Sequence, residues 1–392
     1  MDGINSDEVY QDRILPYVSR TFALTIPQLP PALRTAVTNA YLLCRIADTI
    51  EDEPALSAAE TLALLQQFKA VVAGTAEPAL LASELERQLS ERTLPAERDL
   101  VSNMDRVIRI TARLDDVQRA AIQRCIDLMC YGMPHFQNNA SLRGLPLASD
   151  LDDYCYYVAG VVGEMLTELF CDYSPDVAQR RRALHEFAAS FAQGLQMTNI
   201  LKDVWEDRSR GACWLPQEVF SRFGVDVACL SARHYDVGFG AGMRELIAVA
   251  HGHLRNALTF TLLIPGKETG IRRFCLWAIG LAVLTLSKIA RNPEFTAGAQ
   301  VKVSRSAVTA TRILTNFAVR NDWMLTRLFN LAARGLPLAP PSEVRRARAA
   351  CSGTGHESAS SAEYARHTAR LQLESGAPLE RTLRRSDGSS AT

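Results

Sequence analysis

From about residue 8 to about residue 335 the chain is a near-continuous succession of three- and four-residue apolar spacings, with few glycines or prolines to interrupt it. That period puts apolar side chains on one face of a helix, and no run alternates as a half-buried strand would. Helices are expected at 57–73, 79–92, 95–111, 115–132, 148–171, 176–208, 215–223, 241–263, 271–290 and 304–332. An earlier helix opens at Pro30 and Pro31 and ends near Glu53, because Pro31 suits a first helical turn and Pro54 disfavours continuation. The fold class is therefore all-α, a single large helical bundle.

Composition narrows what such a bundle does. Lysine plus arginine equals aspartate plus glutamate, 43 each, so nucleic acid, which usually demands a basic excess, is not expected as a partner. The nine cysteines are scattered without a C-x-x-C pair, and the start MDGINSDEVYQDR is polar and acidic. Together these imply no signal peptide and a reducing, cytoplasmic setting with free thiols. The longest apolar run, FCLWAIGLAVLTL at 274–286, is shorter than the about 20 residues of a spanning helix. It reads as a buried core helix, so membrane contact is expected to be peripheral only. Apolar periodicity fades near 336, which sets a domain at 1–339 and a flexible, disordered tail at 340–392, with a short helix near 361–373.

Within the bundle, RIADTIEDEP (45–54) follows the apolar run AVTNAYLLC. Asp48, Glu51 and Asp52 stand at i, i+3 and i+4, so three carboxylates share one helix face with Arg45 and Tyr41. A lone acidic triplet of this kind is usually a solvated face. QMTNILKDVWED (196–207) repeats the spacing, however, with Asp203, Glu206 and Asp207 preceded by Asn199 and Gln196 on one polar stripe. Two such stripes on otherwise apolar helices fit carboxylate-only sites for Mg²⁺, which keeps waters and bridges to substrate phosphates. Mg²⁺ makes a diphosphate a leaving group, and the carbocation left behind needs an apolar cavity that excludes water.

These residues resemble the head-to-head trans-isoprenyl diphosphate synthases, the squalene and phytoene synthase family. SRTFALTIPQLP (19–30) is similar to the family's N-terminal diphosphate-binding segment and LLCRIADTIED (42–52) to its first acidic motif. YCYYVAGVVGEML (154–166) is similar to its central helix and NILKDVWEDRSRGACWLPQEVF (199–220) to its second acidic motif. The resemblance covers about 8–335, and YCYYVAGVVG and WLPQEVF lean toward the family's squalene synthases. AQVKVSRSAV (299–308) resembles the segment used near NADPH, with Lys302 in place but the second basic residue displaced to Arg305, beyond Ser304.

The resemblance implies an isoprenoid-synthase bundle with a central apolar cavity, two farnesyl diphosphates as substrates, and Mg²⁺ (or Mn²⁺) and NADPH as cofactors. It assigns catalysis to Tyr154, Asp48, Asp52, Asp203 and Asp207, and metal binding to Asp48, Glu51, Asp52, Asn199, Asp203, Glu206 and Asp207. Diphosphate binding falls to Ser19, Arg20, Tyr41, Arg45, Gln196, Asn199, Lys202 and Arg210, and NADPH binding to Asn199, Lys302 and Arg305. For Ser19 an N-cap is the competing reading, and for Gly160 and Gly163 plain helix packing. GFGAG (238–242) follows no strand and reads as a loop, while His251 and His253, at i and i+2, point apart on a helix. The implied reaction joins two farnesyl diphosphates to presqualene diphosphate and then reduces this to squalene. A relative that makes presqualene diphosphate, dehydrosqualene or phytoene without NADPH is the alternative, and a catalytically silent assembly factor the third reading.

Overall fold

The computed structural model describes residues 2–19, 21–137, 141–232 and 235–340, together with Val344. These belong to one compact unit, Met1–Arg348. The expected tail, including its helix at 361–373, lies outside the described residues apart from Pro340 and Val344.

The regular structure of the described residues is helical, and their only extended pairing is an isolated bridge between Leu145 and Pro216. α1 (Asp2–Val18) and a short α2 (Phe22–Thr25) lead into α3 (Pro31–Glu51), which Pro31 opens as expected. α4 (Ala58–Val72) starts on a capping box in which Ser57 and Glu60 satisfy each other's backbone donors. The short α5 (Pro78–Gln88), α6 (Pro95–Ser102) and α7 (Met104–Arg113) precede the long α8 (Asp116–Gln137). α9 (Ala148–Cys155) passes through one π turn, Tyr156–Gly160, into α10 (Val161–Tyr173). α11 (Pro175–Ala178) then connects to α12 (Arg181–Lys202), followed by α13 (Val204–Ser209) and α14 (Gln217–Ser221). α15 (Val237–Leu263), α16 (Thr269–Arg291), α17 (Arg305–Ala318) and α18 (Asp322–Ala332) complete the bundle.

α12 is the central helix, packed on α15, α10, α16 and the π turn, while α3 packs on α1, α4, α8 and α10. Gly163 makes the α10–α12 contact possible: a Cβ there would lie 2.0 Å from the Ala188 carbonyl oxygen. Packing therefore accounts for Gly163. The core is lined by Leu42, Leu43, Ile46 and Ile50 from α3 and by Phe191, Met197, Ile200 and Leu201 from α12. The run at 274–286 lies within α16, where Phe274, Cys275, Leu276 and Trp277 are buried. α16 is long and apolar enough to cross a membrane by composition alone, but most of it is enclosed by the bundle.

Four expected helices are interrupted, and one expected loop is helical. The stretch 95–111 breaks at Asn103, whose amide bonds back to the Asp99 carbonyl and carboxylate. The stretch 148–171 carries the π turn, 176–208 breaks at Gln179–Arg180 and again at Asp203, and 304–332 breaks before Asn321, whose side chain caps α18 at Met324 N. GFGAG forms the first turns of α15 instead of a loop. Asp236 caps that helix at Gly238 N, 2.6 Å away, and the capped start and its tertiary packing override the poor helix propensity of glycine.

Candidate active site

The first acidic cluster occupies the last turns of α3. One Arg45 guanidinium nitrogen lies 3.6 Å from Asp48, and another donates to Glu97 of α6. The second oxygen of Glu97 accepts from Leu94 N at 3.2 Å, so Glu97 caps its own helix and fixes Arg45 in the same act. Arg45 Nε is buried with no hydrogen-bond partner, a donor left for a ligand. The Asp48 side chain keeps 34% of its surface open, yet burial pushes its carboxyl up to about 7. Arg45 opposes that rise, and Asp52 and Glu97 add to it. A carboxylate that water reaches but protein surrounds sits in a cavity wall. Glu51 is buried, and burial together with Asp52 and Asp48 drives its carboxyl well up. Asp52 is raised by burial against the pull of Arg45 and Arg210, although its surface is exposed.

The second cluster straddles a helix break. Asp203 ends α12, its N–H donating to the Asn199 carbonyl at 2.8 Å, and its own carbonyl accepts from Asp207 N at 2.9 Å. Lys202 Nζ lies 3.0 Å from the Asp203 carboxylate. Glu206 Oε1 accepts from Gly298 N at 2.8 Å, while its Oε2 is buried without a partner. Gly298 is packed hard against this cluster, since a Cβ there would lie 3.0 Å from both Asp203 Oδ1 and the Lys202 carbonyl. The Asp207 carboxyl is pushed up to about 7 by burial and Asp203; Asp52 and Glu206 add to the rise, and Arg210 opposes it. Asp52 thus acts on Asp207, and Arg210 acts on both, so the two clusters face each other. Gln196 is half-buried and Asn199 exposed along the same α12 stripe.

Tyr154 lies beside these acids, two residues before the π turn begins. Its ring stacks on Trp214 with centroids 4.0 Å apart, and Phe136 meets it edge-on at 5.5 Å. Burial drives the phenol well above its ordinary range, and Glu51, Asp52 and Asp207 add to the rise. Gln193 Nε2 donates to the Asp152 carbonyl at 3.2 Å, tying α12 to the turn that carries Tyr154.

The N-terminal segment approaches the same place. Tyr41 donates to the Val18 carbonyl at 2.9 Å and its phenol is pushed up to about 12 by burial, with Ser19 and Arg45 opposing. Ser19 Oγ accepts from the N–H of Phe22, the first residue of α2, at 3.0 Å and lies next to Tyr41. Arg20 lies outside the described residues. Lys302 and Arg305 are exposed just beyond the turn that starts at Gly298, and Ser304 between them caps α17 at Ala307 N. Of the expected set, the C-terminal ends of α3 and α13 bring together Arg45, Asp48, Asp52, Asp207 and Arg210. Sequence reasoning missed Glu97, Phe136, Gln193 and Gly298; Trp214 was in a quoted motif without a role.

Among the described residues no three His, Cys, Asp or Glu side chains converge into a closed metal site. The donor set nevertheless fits a divalent cation that keeps its waters. All donors are oxygens, Asp48 and Asp207 are each raised to about 7, chiefly by burial and further by acids of their own clusters, and Glu206 presents an unpartnered buried oxygen. A comparison with known families agrees with this geometry: residues 15–307 match the model described as squalene/phytoene synthase. The chain belongs to the squalene/phytoene synthase family. Squalene synthase ERG9 of Candida albicans is 28% identical over 310 residues, covering 77% of this chain and 65% of the relative. Squalene synthase R6 of a Phoma species is 32% identical over 215 residues, 54% of this chain and 48% of the relative. The match thus spans less than two thirds of the length of these curated family members. Solved structures share the fold: TcSQS with the ligand BPH1237 superposes with a TM-score of 0.67 at 23% identity, covering 88% of this chain and 99% of that one. A dehydrosqualene synthase in complex with ligand gives 0.56 at 22% identity, over 84% and 97%. The isoprenoid-synthase all-α fold expected of the family is the one observed.

Proposed function

We propose that the chain is a prenyltransferase that condenses two farnesyl diphosphates head-to-head to presqualene diphosphate and then converts this to squalene with NADPH. The observation that carries the reading is the pair of facing carboxylate clusters, with Tyr154 and its aromatic partners set against them. Mg²⁺ would be held by Asp48, Asp52, Asp203, Glu206 and Asp207, with Glu51 and Asn199 alongside, and NADPH by Lys302, Arg305 and Asn199. When bound, the metal supplies charge neutralisation at the departing diphosphate and the nicotinamide supplies hydride.

The chain's own groups do the rest. Arg45, anchored by Glu97, offers its unpartnered Nε to a phosphate oxygen, and Arg210 approaches from the opposite cluster. Lys202, Gln196, Ser19 and Tyr41 extend the cradle. The phenol of Tyr154 holds its proton far above neutral pH, so it acts as an O–H donor and an aromatic face and not as a base. The proton lost on ring closure then goes to a released diphosphate oxygen beside it. Tyr154, Trp214 and Phe136 present ring faces and edges to a developing cation and keep water away.

A product formed without NADPH is the second reading. It is favoured by Ser304, which spends its side chain capping α17 and separates Lys302 from Arg305. Incubation with farnesyl diphosphate and Mg²⁺, with and without NADPH, followed by product identification, separates the two. Squalene that appears only with NADPH supports the first reading; an identical product in both arms supports the second. No prenyl product in either arm, from folded protein, removes both.

A further inference from the structure

α17 is an amphipathic helix mounted the wrong way round. Toward the bundle it presents small and hydroxylic residues: Ala318 is buried, and Thr311 packs into the space above Gly280 of α16. The Thr311 and Thr315 hydroxyls are satisfied within the helix, on the carbonyls of Ala307 and Thr311. Its large apolar side chains face outward instead, with Ile313 and Leu314 exposed and Phe317 79% exposed. α18 packs against α17 and adds Trp323, 67% exposed, with the Arg327 guanidinium 5.1 Å over its ring. Apolar side chains at these positions, i, i+1 and i+4, form one patch, which folding alone does not explain.

Charge identifies what covers it. Between 305 and 334 stand Arg305, Arg312, Arg320, Arg327 and Arg334, and the only acid is Asp322. That acid is already paired, 2.7 Å from buried Arg272. A second copy would set arginines against arginines. In the segment 345–392 arginines also outnumber acids, so that segment carries no net complementary charge. Exposed Phe and Trp flanked by arginines with long apolar stems are the composition of an interfacial helix, which buries its rings at the headgroup level and holds its cations among the phosphates.

We propose that the outer face of α17 and α18 docks on an anionic lipid surface. The proposal rests on exposure and charge and is independent of the chemistry assigned to the acidic clusters.

The test is co-sedimentation of the full-length chain with phosphatidylcholine vesicles, with and without phosphatidylglycerol. Binding is expected with the anionic vesicles and is lost at high salt. Phe317→Ser combined with Trp323→Ser lowers the partition coefficient roughly tenfold or more. Arg320→Gln combined with Arg327→Gln does the same, through lost attraction to the lipid phosphates, by roughly tenfold. All four side chains are exposed, so circular dichroism and melting of both variants should match the parent. Undiminished binding by either double variant overturns the proposal. So does a parent that sediments with neither vesicle, which leaves the face to a protein partner, and to a second copy if Phe317→Ser also dissolves a dimer.

Discussion

The two acidic clusters share a spacing and differ in how the chain holds them. The first rides one unbroken helix to its end, and a residue from another helix, Glu97, locks its arginine. The second is divided by the break at Asp203 and is held by contacts to a loop, through Gly298 on Glu206 and through Trp205, whose indole donates to the Phe295 carbonyl at 2.7 Å. One side of the site is thus preset by helix geometry, and the other by a turn that a loop braces. The same D-x-x-E-D pattern is therefore carried by one helix in one place and across a helix break in the other.

The sharpest way to break this comparison is to remove one carboxylate from each side. Asp48→Asn and Asp207→Asn are each expected to lower kcat by about three orders of magnitude, the loss of several kcal/mol of charge stabilisation. Steady-state turnover of farnesyl diphosphate at saturating Mg²⁺ measures it. A loss under tenfold in either variant would show that the clusters do not act together.

The lock on Arg45 comes next. Glu97→Gln keeps the shape and can still accept from Leu94 N but loses the charge that holds the guanidinium. Catalytic efficiency should fall roughly 10- to 100-fold, as when an orienting partner is removed, mostly through a raised KM for the diphosphate. Glu97→Asp should recover part of it. Equal kinetics for Gln and Glu at this position would reduce Glu97 to a helix cap.

A smaller effect belongs to the braced side. Gly298→Ala brings a methyl to 3.0 Å from Asp203 Oδ1 and 3.3 Å from Glu206 Oε1. The loop gives way by a few tenths of an ångström, so turnover should drop less than about tenfold while the Mg²⁺ requirement rises. A titration of activity against Mg²⁺ reads this, and an unchanged curve would mean that the loop does not brace the cluster.

The acids and Arg45 were legible in the sequence because each lies within a few residues of a periodic helical pattern, where spacing alone fixes the face, whereas Tyr154 entered only through the resemblance of YCYYVAGVVGEML to the family's central helix. Glu97 was not, since it meets Arg45 from 52 positions away through tertiary packing and reads locally as a cap. The break at Asp203 was invisible because Asn199 to Asp207 has no proline or glycine to announce it. Trp214 stood in a recognisable segment, but no periodicity says that its ring lies flat on Tyr154. GFGAG was misread because three glycines suggest a loop, while capping by Asp236 and the surroundings of α15 decide for a helix.

The smallest expected effect separates metal from proton as the partner of the clusters. In metal-free protein the Asp48 and Asp207 carboxyls sit at about 7, against an ordinary 3.8, so both keep protons that the unfolded chain has released. Where the folded state binds more protons, stability falls as pH rises. The loss starts above the unfolded value and is complete once pH exceeds the folded one. Chelator-treated protein should therefore lose a few degrees of Tm between about pH 5 and about pH 7.5, a shift of the size that small changes in stability produce. Mg²⁺ bound there would take the place of those protons and should flatten the slope at the upper end. Asp48→Asn removes the titrating group and should flatten half of it without metal. A Tm that climbs over this range in the chelated protein would mean that Arg45 and Arg210 already neutralise the acids, and that the clusters need no cation to stand together.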